Sequence, residues 1–303
     1  MTNQKSLSRR AWAELMLLSL IWGASFVSIK IALDEVPVFT SVAHRVFWAA
    51  LVLWAYVLLR GIAIPRSPRI WGAFLVMGLL NNAIPFSLMA WGQLYIESGL
   101  TSILNAATAI FGVLVAALIF SDERLTPNRL AGVLLGFLGV ATAIGLDNFA
   151  QIDLRSAAQI AVLGGTVSYA FAGAWARVTL SDLPPQIAAA GMLSASSLIM
   201  IPLAFAIDGA PAFDLSARTI SAIGYYAVIA TAGAYLLYYR VLAMAGSGNL
   251  MLCTLMVAPV TIILGALLLG EALDPRAYLG FGLLALGLVI LDGRILRILR
   301  PTP

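Results

Sequence analysis

The chain consists of long apolar runs separated by short polar connections. The runs hold about 20 residues each, which is the length of an α-helix that crosses the hydrocarbon core of a bilayer. They lack the strict alternation of a membrane β-strand, so they predict helices. The predicted spans are Ala11–Leu33, Pro37–Leu59, Trp71–Leu94, Leu100–Phe120, Asn128–Leu146, Ala157–Ala176, Pro185–Ile207, Ala217–Leu242, Asn249–Leu269 and Arg276–Leu291. The pattern therefore predicts an all-α integral membrane protein of ten transmembrane helices.

Composition points the same way. Hydrophobic residues make up 61% of the chain and charged residues 11%, with a mean hydropathy of +0.97. Soluble domains hold about 45–50% apolar and about 25% charged residues. The net charge of +4 could suggest a nucleic-acid partner. The basic residues, however, lie in short clusters between apolar runs, as membrane topology signals do, so we expect no nucleic acid.

These basic clusters predict an orientation. With a cytoplasmic N-terminus, the inner set is Lys5, Arg9, Arg10, Arg60, Arg66, Arg69, Arg124, Arg129, Arg177, Arg240, Arg294, Arg297 and Arg300. The outer set holds only Arg155, Arg218 and Arg276, while Lys30 and Arg45 lie within spans. Because positive charge is retained on the cytoplasmic side, we expect both termini there, in a multi-pass protein of the bacterial inner membrane.

The two halves of the chain repeat at an offset of 147 to 148 residues. The matched pairs are Glu123 with Glu271, Leu125 with Leu273, Pro127 with Pro275, Gly132 with Gly280, Gly139 with Gly287 and Lys30 with Arg177. Residues 1–146 and 147–303 would then form two repeats of five spans. An odd number of spans puts the second repeat in the membrane upside down, an arrangement typical of secondary transporters.

The repeated Glu-x-Leu-x-Pro has a structural interpretation. Thr126-Pro127 and Asp274-Pro275 read as an N-cap followed by proline at the first helical position. Glu123 or Glu271 just before the cap would add favourable charge near the helix N-terminus. A coupling-ion site is the alternative.

The order of motifs resembles the drug/metabolite transporter superfamily, in particular its EamA family. The resemblance rests on Trp22-Gly23-Ala24-Ser25-Phe26, on Arg45, on the two Glu-x-Leu-x-Pro corners and on Ala258-Pro259-Val260 followed by Gly270-Glu271. It covers nearly the whole chain and implies a ten-span metabolite exporter. Within the superfamily the chain looks most like the YddG-type aromatic amino acid exporters. Arg45 has Met192 at its counterpart, so the repeat is chemically asymmetric there.

Polar side chains within spans are the candidate substrate contacts, because such groups are costly in lipid and face protein or a wet cavity. The candidates are Trp22, Ser25, Asn81, Asn82, Ser102, Asn105, Tyr169, Tyr235 and Thr254. Aromatic walls with a few amides and hydroxyls suit an amphipathic organic solute such as an amino acid. The alternative is that these groups only join helices, at roughly 0.6 kcal/mol each.

His44 and Arg45 lie in the outer half of the second span. They form a candidate outer gate or carboxylate contact, although Arg45 could instead snorkel or pair with Asp34 or Glu35. No Asp or Glu is placed near mid-depth, so we expect export driven largely by the substrate gradient. The expected mechanism is alternating access around a central cavity.

The sequence leaves other functions open besides amino acid export. Drugs, nucleotide-linked sugars or other metabolites are alternative substrates, and a channel, a scramblase or an intramembrane enzyme are remote alternatives. The midplane residues assemble neither paired carboxylates nor a histidine metal cluster, so we expect no enzyme, no metal and no cofactor. The expected partners are a small-molecule substrate and the lipid bilayer, with the protein a monomer or a homodimer.

Overall fold

The computed structural model describes residues 8–123, 125–145, 153–212, 214–245 and 247–292, leaving out the side chains of 245, 247–252 and 292. Within these ranges the protein is all-helical. We number its helices α1 Arg9–Ala32, α2 Val38–Leu59, α3 Pro68–Gly92, α4 Ser98–Ile119, α5 Pro127–Ile144, α6 Leu154–Thr179, α7 Pro185–Ile207, α8 Ala217–Ala245, α9 Ser247–Leu269 and α10 Pro275–Asp292.

The first eight helices are long and apolar enough to cross a membrane, and two shorter apolar stretches, Cys253–Leu269 and Pro275–Leu291, follow. Each predicted span coincides with one helix, and the ends differ by no more than three residues. Several residues of the sequence argument lie outside the described residues or have no described side chain: Lys5, Arg124, Asn249, Arg294, Arg297 and Arg300.

Two helices carry π-helical segments, in which the turn is widened by one residue. Leu79–Ala83 lies in the middle of α3, and Tyr225–Gly233 lies in the middle of α8. Adding the repeat offset of 147 to the residue numbers of the first segment places it within the second. In α3 the cause is Pro85, which has no amide hydrogen for the carbonyl of Asn81 and crowds the preceding turn. The sequence indicates a hinge at Pro85, and the first π-helical segment ends two residues before it.

Glycines bring α5 and α10 into close contact. A Cβ on Gly132 would lie 2.7 Å from the carbonyl oxygen of Gly287, and one on Gly139 would lie 2.7 Å from that of Gly280. The earlier glycine of α5 thus faces the later glycine of α10. The two helices are therefore antiparallel. Because Gly132 matches Gly280 and Gly139 matches Gly287 in the repeat, exchanging the two halves of the chain turns one contact into the other.

The second helices of the two halves are also antiparallel. Thr40, at the start of α2, donates its amide hydrogen to the Asp208 carboxylate at the end of α7 (2.7 Å). Further along α2, the indole nitrogen of Trp54 donates to the Ser194 hydroxyl (2.6 Å). Large apolar side chains such as Leu118 and Leu267 remain 86% and 75% exposed, which is the surface that lipid covers.

Candidate functional site

A group of polar side chains meets halfway along the helices, and we call it the central polar cluster. Its members are Arg45 of α2, Asn81 and Asn82 of α3, Ser196 of α7, and Thr231 and Tyr235 of α8. Four helices contribute, two from each half of the chain. The cluster therefore lies between the halves rather than within one of them.

Arg45 is held in place by neutral groups. Its Nε donates to the Thr231 hydroxyl (2.9 Å), and its guanidinium lies 3.7 Å from the centroid of the Phe86 ring. Among the described residues no carboxylate forms an ion pair with it. Pairing with Glu35 does not occur, since that carboxylate accepts the Ser216 amide hydrogen (2.8 Å). A guanidinium without a counter-ion is an anion-binding group.

The two asparagines join α3 to α7 and α8. The Asn81 amide nitrogen donates to the Tyr235 hydroxyl (3.0 Å), and the Asn82 amide nitrogen donates to the Ser196 hydroxyl (3.0 Å). The Asn82 amide oxygen accepts from the Tyr235 hydroxyl (3.4 Å) and from the Asn81 amide nitrogen (3.3 Å). Asn82 is fully buried, whereas Asn81 and Tyr235 keep partial exposure and can contact a ligand.

The π-helical segments explain why the cluster lies where it does. Widening a turn shifts the backbone hydrogen bonds and leaves carbonyl oxygens to be satisfied by side chains. The Ser168 hydroxyl donates to the Leu80 carbonyl (2.7 Å) in the first segment. The Thr231 hydroxyl donates to the Tyr226 carbonyl (2.7 Å) in the second, and this bond points its oxygen at Arg45.

Aromatic rings surround the polar atoms. Tyr235 stacks on Tyr239 with 6.5 Å between ring centroids, and Tyr239 meets Tyr238 edge to face at 5.3 Å. The ring centroids of Trp22 and Tyr238 lie 5.8 Å apart, and Tyr169 packs against both hydrophobic cores. All five rings are partly exposed, so they form a wall rather than core.

The remaining predicted positions are not among the residues that define the cluster. Ser25 and Ser102 are buried and donate to the carbonyls of Trp22 and Gly99 within their own helices (2.7 Å each). Asn105 ends the first half of α4, which is interrupted at 106–107, and its carbonyl accepts from Thr108 (2.7 Å). Thr254 lies part-buried on α9.

The structure separates His44 from its neighbour Arg45. The Nδ1 of His44 accepts from the indole nitrogen of Trp48 (3.2 Å) at the outside of α2. His44 and Trp48 line a groove of about 160 Å³ between α2 and α7, together with side chains such as Phe47 and Phe205. His44 thus faces the lipid side and Arg45 faces the interior.

Phe86 and Ser196 were not predicted as site residues, and Thr231 was noted as a polar residue of the eighth span but not included among the candidates. Phe86 is an ordinary core residue by type, and nothing in the sequence pairs it with Arg45. Ser196 lies in the run Ser194-x-Ser196-Ser197 in the middle of a span, a polar cluster that could have been used. Thr231 is the one mid-span threonine of the eighth apolar run.

The glutamate–proline corners have a role that differs in part from the predicted one. Thr126 and Asp274 do cap their helices, accepting from the amides of Arg129 (3.3 Å) and Arg276 (2.9 Å). Glu271, however, acts on a different helix from the one it precedes. Its carboxylate accepts from the amide (2.8 Å) and hydroxyl (2.7 Å) of Ser98, at the N-terminus of α4.

Lys30 shares that corner. Its ammonium donates to the main-chain carbonyls of Gln93 and Ile96, just beyond α3. In the second half, the matching Arg177 lies 3.7 Å from Glu123 and pairs with Asp122 at 2.5 Å. The corners therefore tie helices together at both ends of the bundle. This geometry favours the structural interpretation over a coupling-ion site.

The model of the EamA-like transporter family matches residues 11–145 and again residues 156–291. The chain belongs to this family. The match confirms the resemblance and covers the two halves separately. Together with the apolar helices, it identifies a multi-pass transporter of the bacterial inner membrane. The family is one of transporters rather than enzymes, and specificity of the YddG type stays a prediction.

Individual relatives align over nearly the full chain. The "probable amino-acid metabolite efflux pump" of Escherichia coli is 26% identical, covering 94% of this chain and 95% of its own. The "probable terminal-alkyne amino-acid exporter" of Streptantibioticus cattleyicolor is 25% identical, with 96% and 95% covered. One crystal structure aligns with a TM-score of 0.69 and 16% identity over 98% of this chain and 100% of its own, which shows the fold alone.

Proposed function

We propose that this protein exports amino acids and carboxylate-bearing amino acid metabolites, including aromatic ones, by alternating access. The observation that carries the proposal is Arg45, a part-buried guanidinium that no described carboxylate neutralises and that bonds to Thr231 within the central polar cluster. A substrate carboxylate is the natural counter-ion there, because charge-assisted bonds to Arg are strong and directional. The names of two relatives support amino acid substrates.

The proposed architecture is ten spans in two inverted repeats, 1–146 and 147–303, with both termini in the cytoplasm. Three observations support it: the antiparallel contact of α5 with α10, the antiparallel contact of α2 with α7, and the matching π-helical segments. A site shared by two inverted halves can open to either side by a rocking motion. The cluster contains no acidic group among the described residues, so the substrate gradient would supply the driving force.

Phosphorylated substrates such as nucleotide-linked sugars are less well matched. A diphosphate needs several cationic partners, and Arg45 is the one basic side chain of the cluster as defined here. Drug export has no comparable structural argument in its favour.

Counterflow in proteoliposomes tests the proposal without any assumption about coupling. Vesicles preloaded with unlabelled phenylalanine, tyrosine or tryptophan should accumulate the labelled amino acid in a saturable manner. Arg45→Gln should abolish most of the exchange. Arg218→Gln, which changes an exposed arginine at the start of α8, should retain it. Absence of saturable exchange with every carboxylate substrate, or wild-type exchange in Arg45→Gln, would refute the proposal.

A further inference from the structure

The central polar cluster can pair with one charge only, and that charge is negative. The described acidic side chains lie at helix ends and in connections, where most are already engaged. Glu271 caps α4, Asp208 caps α2 and Glu97 accepts two bonds from Arg155 (2.8 and 3.2 Å). None of the described carboxylates is placed to receive a substrate ammonium beside Arg45.

Neutral acceptors for an ammonium are also largely taken. Transporters with unwound helices bind cations through the carbonyls that unwinding sets free. Here the Leu80 and Tyr226 carbonyls accept hydroxyl hydrogens from Ser168 and Thr231 (2.7 Å each). The one hydroxyl hydrogen of Ser196 is shared between the carbonyls of Gly78 (3.0 Å) and Met192 (2.7 Å). Hydroxyl groups therefore satisfy the Leu80 and Tyr226 carbonyls within the two π-helical segments.

The aromatic ring that contacts Arg45 is already occupied. An ammonium could bind to a ring through a cation–π contact, but the Phe86 ring already carries the guanidinium of Arg45 at 3.7 Å. A second cation beside Arg45 would also be repelled by it. A zwitterionic amino acid would thus satisfy its carboxylate and leave its ammonium without a counter-ion, at a cost in affinity.

We infer that the site prefers aryl-bearing monocarboxylates whose amine is absent or acylated over free amino acids. This inference rests on the proposed function and refines its substrate class. Oδ1 of Asn81 could accept a hydrogen from an ammonium or from an amide N–H alike, but it cannot neutralise a charge. The acylated amine has no charge and is therefore the better match. A deaminated carboxylate has no amine and therefore needs no partner at that position. In both cases the ligand carries a net negative charge, which Arg45 neutralises.

Four compounds that share one aryl body test the inference at pH 7.5. Phenylalanine is a zwitterion, N-acetylphenylalanine and 3-phenylpropanoate are anions, and phenethylamine is a cation. In competition counterflow, both anions should inhibit at concentrations at least about tenfold lower than phenylalanine, which corresponds to about 1.4 kcal/mol. Phenethylamine should compete least. In Arg45→Gln the advantage of the anions should disappear, and in Arg218→Gln it should persist.

Charge movement supplies an independent readout. If the substrate is an anion, a potassium diffusion potential set with valinomycin should change the rate of 3-phenylpropanoate efflux, negative inside being faster. Phenylalanine efflux should be insensitive to that potential. Equal or better competition by phenylalanine, with saturable exchange intact, would overturn the preference and leave the exporter assignment standing. No exchange of any carboxylate would instead defeat the proposed function itself.

Discussion

A single methyl group placed between α5 and α10 tests the packing on which the inverted arrangement depends. The Cβ of Gly139→Ala would lie 2.7 Å from the Gly280 carbonyl oxygen and 2.5 Å from the Leu284 nitrogen, where ordinary contacts begin at 3.4 Å. Both neighbours are backbone atoms, which cannot rotate away. The closer of the two contacts requires the helices to separate by about 0.9 Å, enough to forfeit a quarter to a half of the dispersion energy of each affected contact.

The matched control is Gly282→Ala on α10. In the part of the chain that the structure describes, no atom lies within 4 Å of the Cβ position of Gly282, so the same substitution meets open space. Both replacements gain about 1 kcal/mol of helix propensity, and this gain cancels in the comparison. Overpacking typically costs about 1–3 kcal/mol, so Gly139→Ala should be less stable than Gly282→Ala by that amount.

Thermal unfolding in detergent, followed by size-exclusion chromatography of the surviving fraction, measures the difference. At about 2–4 °C for each kcal/mol, Gly139→Ala should unfold several degrees below Gly282→Ala. Gly132→Ala, which faces Gly287, should behave like Gly139→Ala. Equal unfolding temperatures for Gly139→Ala and Gly282→Ala would show that the two helices are not in this contact, and the antiparallel argument would fail with it.

Three further predictions concern the site, the orientation and one ion pair. Tyr235→Phe removes the hydroxyl that joins Asn81 and Asn82, so transport affinity should fall about tenfold, while Tyr278→Phe on the exposed surface should leave it unchanged. In a Cys253→Ser background, Asp122→Cys should react with an impermeant thiol reagent from the cytoplasmic side and Asp274→Cys from the outside; labelling of both from one side would contradict the inverted repeat. Arg177 lowers the pKa of the Asp122 carboxyl below its ordinary value of 3.8 through a hydrogen bond, so Asp122 stabilises the folded state above that value. The loss of thermal stability in Asp122→Asn should therefore be constant near neutral pH and vanish as the pH falls through the lowered pKa; a loss that persists in acid would rule out the ionised carboxylate as its source.

The helix bounds followed from the sequence to within three residues because lipid imposes a simple rule. A run such as Val38–Leu59 must satisfy its backbone internally, so apolar length alone predicts a helix. The cluster was predicted in part. Asn81 and Asn82 stood out since adjacent amides in mid-span need partners, and Tyr235 is one of those partners. Phe86 could not be found this way, because its role depends on how α2 packs beside α3.

The corners show a different limit. Thr126 and Asp274 act within their own helices, and such local bonds can be read from sequence spacing. Glu271 lies in the same motif but caps α4, at Ser98, which is more than 170 residues away. Sequence spacing carries no information about that contact. Local patterns therefore predicted where helices begin, and tertiary packing decided which helix each charge serves.

The hydrogen bonds of the central polar cluster bear directly on how the site could open. Arg45 bonds to Thr231, Asn81 to Tyr235 and Asn82 to Ser196, and in each pair one residue belongs to the first half of the chain and the other to the second. Any movement that parts the halves at this depth must break these bonds. Leaving buried polar groups unpaired costs about 1–3 kcal/mol each, so an empty site resists opening. A bound carboxylate would give Arg45 another partner and lower that cost, so the site would open faster with substrate bound than when it is empty.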